Sequence, residues 1–406
     1  MAEQKIKAPK ITTQIFIGMI AGVAVGYFFK DFAPQLKLLS DIFLHLIKMI
    51  IAPLVFTTLV IGVAKTGDFK SVGRIGIKTL LYFQFATALA LTLGLITVNI
   101  FAPGKWMSLE LPAKGADTGL AVQKIHDFKT FILDLVPTSI FDAMANNSII
   151  QIVIFALFFG IAAAAVGEKA QPVLKVVDSA GHIMLKVTNY VMALAPIGVF
   201  GAMAAVVSVN GLAVLSGYGF LILCFFGALL FFIFVILGSI CFVLKIPFFK
   251  LLKEIKEPAL MAFSTASSES AFPKTIESLE RFGCSNKIVS FVLPLGYSFN
   301  LDGSIMYMTF ASVFIAQAYG IDLSTQQQIT MMLILLVTSK GMAGIPRASL
   351  VVIAGTLATF NIPVEGLLLL MGIDQILDMG RSATNVVGNA VATVVISKWE
   401  KELKLV

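Results

Sequence analysis

Near the C-terminus the chain runs from Asp374 to Asn389 as Asp-Gln-Ile-Leu-Asp-Met-Gly-Arg-Ser-Ala-Thr-Asn-Val-Val-Gly-Asn, a polar and charged stripe inside a long apolar segment. Asp378, Arg381, Ser382, Asn385 and Asn389 lie at offsets of 0, 3, 4, 7 and 11 residues, so an α-helix gathers them on one face. An arginine at mid-bilayer costs about 2.5 to 3.5 kcal/mol on the lenient insertion scale, and intramembrane charges mark substrate or ion pathways. The stripe reads as the heart of a binding site inside a membrane.

The rest of the chain must supply that membrane setting. Apolar residues make up 58% of the 406 and charged residues 13%, and the mean hydropathy of +0.93 lies outside the range of soluble domains. The net charge of +7 does not point to nucleic acid, because most Lys and Arg fall in short connections between apolar spans, as the positive-inside rule requires. Cys224, Cys241 and Cys284 have no paired spacing, and His45, His126 and His182 have no ligand spacing, so no disulfide frame, metal site or cofactor is expected. Residues 1–10 are polar and basic and lead into an apolar span without a small-residue cleavage site, which does not resemble a signal peptide.

Apolar windows place helices near 12–33, 40–64, 76–102, 130–166, 176–207, 213–243, 287–318 and 363–398. Several exceed one bilayer thickness, so tilts or breaks are expected. Basic residues cluster before the first span, between the second and third, after the sixth and after the last, which predicts cytoplasmic N- and C-termini. Two segments are not simple spans. Between Phe248 and Gly283 both flanks are basic around a Ser-rich centre, Ser264-Thr-Ala-Ser-Ser-Glu-Ser-Ala-Phe-Pro273. From Gln328 to Pro363 an apolar arm meets Ser339-Lys-Gly-Met-Ala-Gly-Ile-Pro346 and returns. Both read as re-entrant hairpins, and irregular backbone at membrane depth needs protein or a water-filled cavity around it. Each is followed by a helix with buried polar residues, Asn300-Leu-Asp302-Gly303 after the first and the Asp378–Asn389 stripe after the second. A hairpin plus polar helix, repeated from the opposite face, is the pattern of an inverted-repeat secondary transporter.

With these motifs in order, the chain resembles the dicarboxylate/amino acid:cation symporter family, the glutamate transporter homologues, and within it the bacterial proton/glutamate-aspartate branch. The resemblance extends over roughly residues 12–402 and includes Lys48-Met-Ile-Ile-Ala-Pro-Leu and Ala195-Pro-Ile-Gly-Val-Phe. It implies an all-α fold of eight transmembrane helices and two re-entrant hairpins, assembled as a homotrimer in a cell inner membrane. It also implies an elevator, with a scaffold of residues 1–75 and 104–207 and a transport domain of residues 76–103 and 213–406. Residue by residue, it implies that Arg381 takes the substrate side-chain carboxylate as a planar charged fork, and that Asp378 holds the α-ammonium. Asn385 and Ser268 would bind the α-carboxylate, Ser304 and the Ile345 backbone would complete the pocket, and Ser382 and Ser349 would lie beside it. The second tip, with Ser339, Gly341, Gly344, Pro346 and Arg347, would be the gate. The bland alternatives are serines bonded back to their own helix and an Asp378–Arg381 pair that only fixes packing.

The driving ion is read from departures. The sodium-coupled members' cation site corresponds to Gly296, Asn300, Asp302, Asn385 and Asn389. Here Asn389 replaces an aspartate, Leu301 replaces a methionine, and Phe83, Ala86 and Thr87 stand where a second site draws on hydroxyls. A hard cation needs oxygen ligands. Glu269 appears at the first tip, and a carboxylate in a low-dielectric site can exchange protons near neutral pH. Glu269 is therefore the first candidate proton carrier and Asp302 the second. The glutamate that carries the proton in vertebrate relatives corresponds to Met308. The competing reading for Glu269 is a static pair with Arg347 or Lys340. Proton symport of L-glutamate or L-aspartate is favoured over sodium coupling and over C4-dicarboxylate transport, because a dicarboxylate offers Asp378 no ammonium. An intramembrane aspartyl protease using Asp302 and Asp378 lacks its Gly-x-Gly-Asp signature, and a bare channel needs neither Asp378 nor gating hairpins.

Overall fold

The computed structural model describes residues 11–66, 69–106, 111, 133, 136–210, 214–339, 348–371 and 373–405. The described regular structure is helical, apart from an isolated bridge between Cys284 and Leu403. Among the described residues, five stretches are long and apolar enough to cross a membrane: Ala33–Ala64, Gly73–Trp106, Ile149–Met192, Tyr218–Val243 and Asn286–Ala318.

The first group of helices comprises α1 (Ile11–Phe28), α2 (Lys37–Thr66), α3 (Phe69–Phe101), α4 (Ile149–Val166), α5 (Gln171–Met192) and α6 (Ala195–Asn210). Helix α1 packs along α6, and α2 packs against α4, α5 and α6. Gly18, Gly22 and Gly26 share one face of α1, and a Cβ on any of them would run into the Pro196, Phe200 or Ala204 carbonyl of α6. Small residues at this spacing let two membrane helices touch backbone to backbone, where dispersion rather than hydrophobicity drives association.

Several expected spans are divided. Within the window 130–166 the described residues include a short helix, Ile140–Ala145, and α4, with Asn146, Asn147 and Ser148 between them. The window 176–207 breaks after Met192, where Pro196 at the start of α6 has no N–H to continue the ladder and Leu194 turns back to Val191. The last window, 363–398, is helical without interruption only from Asp374 onward. Apolar content alone does not register such breaks.

The second group begins with α7 (Val214–Phe231), which passes through a π-helical stretch, Phe232–Leu237, into α8 (Gly238–Val243). The first hairpin consists of α9 (Phe248–Thr265), a tight turn and α10 (Phe272–Phe282), its arms packed on each other. A broken helix follows, α11 (Asn286–Phe299) and α12 (Asp302–Ala318). The second pair of arms is α13 (Thr325–Thr338) and α14 (Ala348–Thr359), also in mutual contact. The chain ends on α15 (Asp374–Trp399), which packs against α9, α11 and α12 and is almost wholly buried from Met379 to Ser397.

Helix α3 is joined to this second group. It lies along α12, where Thr309 donates to the Leu91 carbonyl at 3.0 Å and Gln317 to the Val98 carbonyl at 2.9 Å. At the opposite end Glu400, just past α15, accepts from Arg74 at 2.7 Å and from Lys78 at 2.6 Å. These hydrogen bonds, the Arg74 ones foremost, hold the Glu400 carboxyl below its ordinary range. A depressed carboxylate contributes stability above its unfolded pKa of about 4.3 and loses it as pH falls through the folded value. Arg74 is exposed, so solvent screening limits the clasp to about 1 kcal/mol. Glu400→Gln should therefore lower the thermal midpoint of the detergent-solubilised protein at pH 7, with the gap to wild type narrowing below about pH 4. An identical midpoint at pH 7 would show that the clasp holds nothing.

Candidate functional site

Helix α15 carries Asp378, Arg381, Ser382, Asn385 and Asn389 in one unbroken helix, as their spacing requires. The centre is Arg381, whose side chain is only 3% exposed. Its Nη2 donates to Asp374 Oδ1 at 2.9 Å and lies 3.2 Å from Asp378 Oδ1, while its guanidinium carbon sits 4.1 Å from the centroid of the Tyr307 ring on α12. Two carboxylates and an aromatic face thus replace the water that the charge has lost, the aromatic contact being worth about 0.5 to 2 kcal/mol. The two acids differ in access. The Asp374 side chain is 12% exposed and that of Asp378 is 37% exposed. Asp374 is the hidden counter-ion, and Asp378 retains an open face.

Asp374 and Tyr307 had no assigned role in the sequence reading. Asp374 lies two turns before Arg381 on the same face, and a long helical side chain leans toward the N-terminus. That geometry was available from the spacing 374, 378 and 381. Tyr307 belongs to another helix, and no local pattern points to it.

One turn further along, Asn385 joins α15 to α12. Its Oδ1 accepts from the Gly303 N–H at 2.9 Å and the Ser304 N–H at 3.3 Å, and its Nδ2 donates to Ser304 Oγ at 3.1 Å. The first turn of any helix leaves N–H groups without partners. At α12 the local N-cap, Leu301, offers no side-chain oxygen, so an asparagine from another helix performs the cap.

The third cluster lies at the break between α11 and α12. Asn300 Nδ2 sits 3.2 Å from both Asp302 Oδ2 and Asn389 Oδ1, and all three residues are buried. The Gly296 carbonyl accepts from the Asn300 N–H at 2.8 Å, closing α11. Asn300 Oδ1 and Asn389 Nδ2 are buried without a hydrogen-bond partner. Two glycines make room for the cluster: a Cβ at Gly296 would strike Asn389, and one at Gly388 would strike Asp302. Phe83, Ala86 and Thr87 are buried in α3. Met308 is buried in α12.

The first hairpin tip comes to α15 beside Asn385, since Ala262 and Ala271 pack with Val386 in one small buried cluster. Helix α9 ends on Ala266 in the left-handed region, φ 49°, with the Ser267 N–H returning to the Ala262 carbonyl, a closure more often made by glycine. Thr265 Oγ1 and Ser270 Oγ are 2.8 Å apart, and Ser270 Oγ donates to the Ser267 carbonyl at 2.8 Å. This turn presents Ser268 and Glu269, both half-buried. In the second hairpin Ser339 is buried and Ser349 half-buried, while Ser382 is buried on α15. Lys340, Gly341, Gly344, Ile345, Pro346 and Arg347 lie outside the described residues. Among the described residues, the charge of Lys48 on α2 acts on Glu269, while the expected alternatives Lys340 and Arg347 are not among them.

The sequence model of the Sodium:dicarboxylate symporter family matches residues 11–399. The chain belongs to that family. It is 44% identical over 395 residues to the proton/sodium-glutamate symport protein of Bacillus caldotenax, covering 95% of this chain and 94% of the relative. It is 41% identical over 396 residues to the proton/glutamate-aspartate symporter of Bacillus subtilis (strain 168), covering 97% and 96%. It is also 44% identical over 395 residues to the C4-dicarboxylate transport protein of Geobacter sp. (strain M21), covering 96% and 90%. Relatives with different substrates stand at equal identity, so overall similarity does not choose among them and the site residues must.

The glycine clearances generate a direct test. Gly388→Ala forces a Cβ against the Asp302 carboxylate and should destabilise the protein by about 1 to 3 kcal/mol, the usual cost of overpacking. The thermal midpoint in detergent should fall, and substrate should recover less of it than in wild type. An unaltered midpoint would contradict the tight approach of α15 to Asp302.

Proposed function

We propose that this chain is a secondary active symporter that takes up acidic amino acids, L-glutamate or L-aspartate, together with protons. The observation that carries the reading is the division of labour around Arg381. Asp374 neutralises the guanidinium from a buried position, so Asp378 can turn its more open carboxylate to an α-ammonium. Arg381 then offers a fork to the side-chain carboxylate. Asn385 and Ser268 would bind the remaining carboxylate, Ser304 and the Ile345 backbone would complete the pocket, and Ser382 and Ser349 would lie beside it. A plain dicarboxylate would leave Asp378 facing like charge, which is selection by repulsion. The C4-dicarboxylate reading stands second, supported by relatives of that name at equal identity.

Protons are the proposed coupling ion because the buried cluster of Asn300, Asp302 and Asn389 contains one carboxylate and two amides, a weaker set for a hard cation than one with a second acid. Glu269 is the proposed carrier and Asp302 the second candidate. Helices α1, α2, α4, α5 and α6 would serve as scaffold, and α3 with the second group as the moving unit, in an elevator cycle within a homotrimer of the cell inner membrane. N- and C-termini would face the cytoplasm, and the second hairpin would gate the outer side.

The test is uptake of radiolabelled L-aspartate and L-glutamate into proteoliposomes, under a proton gradient without sodium and then a sodium gradient without a proton gradient. Uptake should follow the proton gradient alone, and Glu269→Gln should abolish that dependence. Strict sodium dependence would overturn the coupling assignment. Arg381→Ala should lose acidic substrates, and unchanged aspartate affinity in that variant would remove Arg381 from the site.

A further inference from the structure

The two arms of the second hairpin are held in different ways. The return arm α14 packs on α12 and buries Leu350, Ile353, Ala354 and Leu357. Among the described residues its side-chain hydrogen bonds stay within the helix, Thr356 donating to the Val352 carbonyl and Thr359 to the Gly355 carbonyl, each at 2.8 Å. The turn that follows closes on α12 as well, since a Cβ at Gly366 would strike the Ile315 side chain. The first arm α13 buries Met331 and Leu335 among its described residues and leaves Ile329 and Leu333 exposed. It runs antiparallel along α3, so that Asp322, Gln328 and Met332 meet Lys105, Asn99 and Thr92 in turn. Asn99 Nδ2 donates to Gln328 Oε1 at 2.7 Å, and Gln328 Nε2 donates to the Leu323 carbonyl at 2.9 Å. Thr92 Oγ1 lies 3.5 Å from Met332 Sδ, and the Lys105–Asp322 pair, at 3.0 Å, is exposed on both sides. A reciprocal cap starts the arm, the Ser324 N–H donating to Gln327 Oε1 at 2.9 Å and the Gln327 N–H to Ser324 Oγ at 3.3 Å.

These two kinds of contact differ in how they can be broken. Side chains interlocked with α12 lose many packing contacts together when the helices part, and in a membrane that packing is what holds helices against each other. An exposed amide hydrogen bond exchanges with water at small net cost, and an exposed ion pair holds little. We propose that the second hairpin opens by its first arm: α14 stays on α12 while α13 swings off α3, and the Asn99–Gln328 hydrogen bond is the latch that holds α13 shut. The proposal rests on the reading of the second hairpin as the gate. It makes α3 the seat of that gate, and it makes Asn99 and Gln328 positioning residues that set the rate of substrate release through the arm.

The test uses the full-length protein in nanodiscs, with labelled L-aspartate and labelled succinate in parallel so that the substrate assignment does not decide the outcome. When substrate is removed, amide hydrogen exchange should rise over 325–338 and stay level over 350–357. The reverse pattern would overturn the proposal. Asn99→Ala and Gln328→Ala should each speed release of bound label about fivefold, as loss of one net hydrogen bond would. The double variant should release no faster than either single one, as expected of a coupled pair. Unchanged release in both single variants, or effects that multiply, would remove the latch. Oxidation of the pair Asn99→Cys with Gln328→Cys should stop release and reduction should restore it, the native cysteines Cys224, Cys241 and Cys284 being buried. The two readings fail separately. A crosslink that stops release while the single variants behave as wild type removes the latch and leaves the gate, whereas a crosslink that forms and leaves release unaltered removes the gate itself.

Discussion

A guanidinium buried in the middle of a helical bundle is the constraint on which the rest of this structure depends. Arg381 can stay charged there only because Asp374, Asp378 and the Tyr307 ring surround it. Removing one member of a buried charge cluster typically costs about 3 to 5 kcal/mol, because the remaining charge is left without a partner. The cluster in turn fixes the approach of α12 to α15. Gly303 lies against the Arg381 backbone, where a Cβ would not fit, and Asn385 caps α12 from across the interface. One interaction thus determines where the broken helix must break, and the break places Asn300 and Asp302 opposite Asn389.

The same charges give a physical reason for symport. Asp374, Asp378 and Arg381 together carry one net negative charge, and an acidic amino acid brings another. Moving that sum through a low-dielectric barrier is unfavourable unless cations travel with it. In the proposed cycle, protons on Glu269 or Asp302 supply the compensation, and the amides at Asn300 and Asn389 remove charge that a sodium ion would otherwise balance. Substrate chemistry and ion coupling are then two consequences of one charge balance.

Much of this was legible in the sequence. The stripe on α15 follows from residue offsets, and the Ser-rich turn between α9 and α10 lies where basic flanks and an apolar centre placed it. Less visible were features set by tertiary contact. The break before Ala195 and the short helix before α4 lie inside windows of high average hydropathy, and an average passes over the Asn146-Asn147-Ser148 run and Pro196. Asp374 fell outside the one-turn neighbourhood in which helix pairs are usually sought, although two turns bring it under the same long side chain. Tyr307 reaches Arg381 from a distant segment, and no single-segment pattern could nominate it.

Relatives of equal identity carry glutamate-type and C4-dicarboxylate names, so specificity must rest on a few side chains rather than on the fold. The central claim is that Asp378, left open because Asp374 holds Arg381, reads the ammonium of the substrate. Its most direct measurement is uptake of labelled L-aspartate in competition with succinate, in wild type and in Asp378→Asn. The account predicts a strong aspartate preference in wild type that collapses toward succinate when the carboxylate becomes an amide. A variant that still rejects succinate and still takes up aspartate at the wild-type ratio would contradict it.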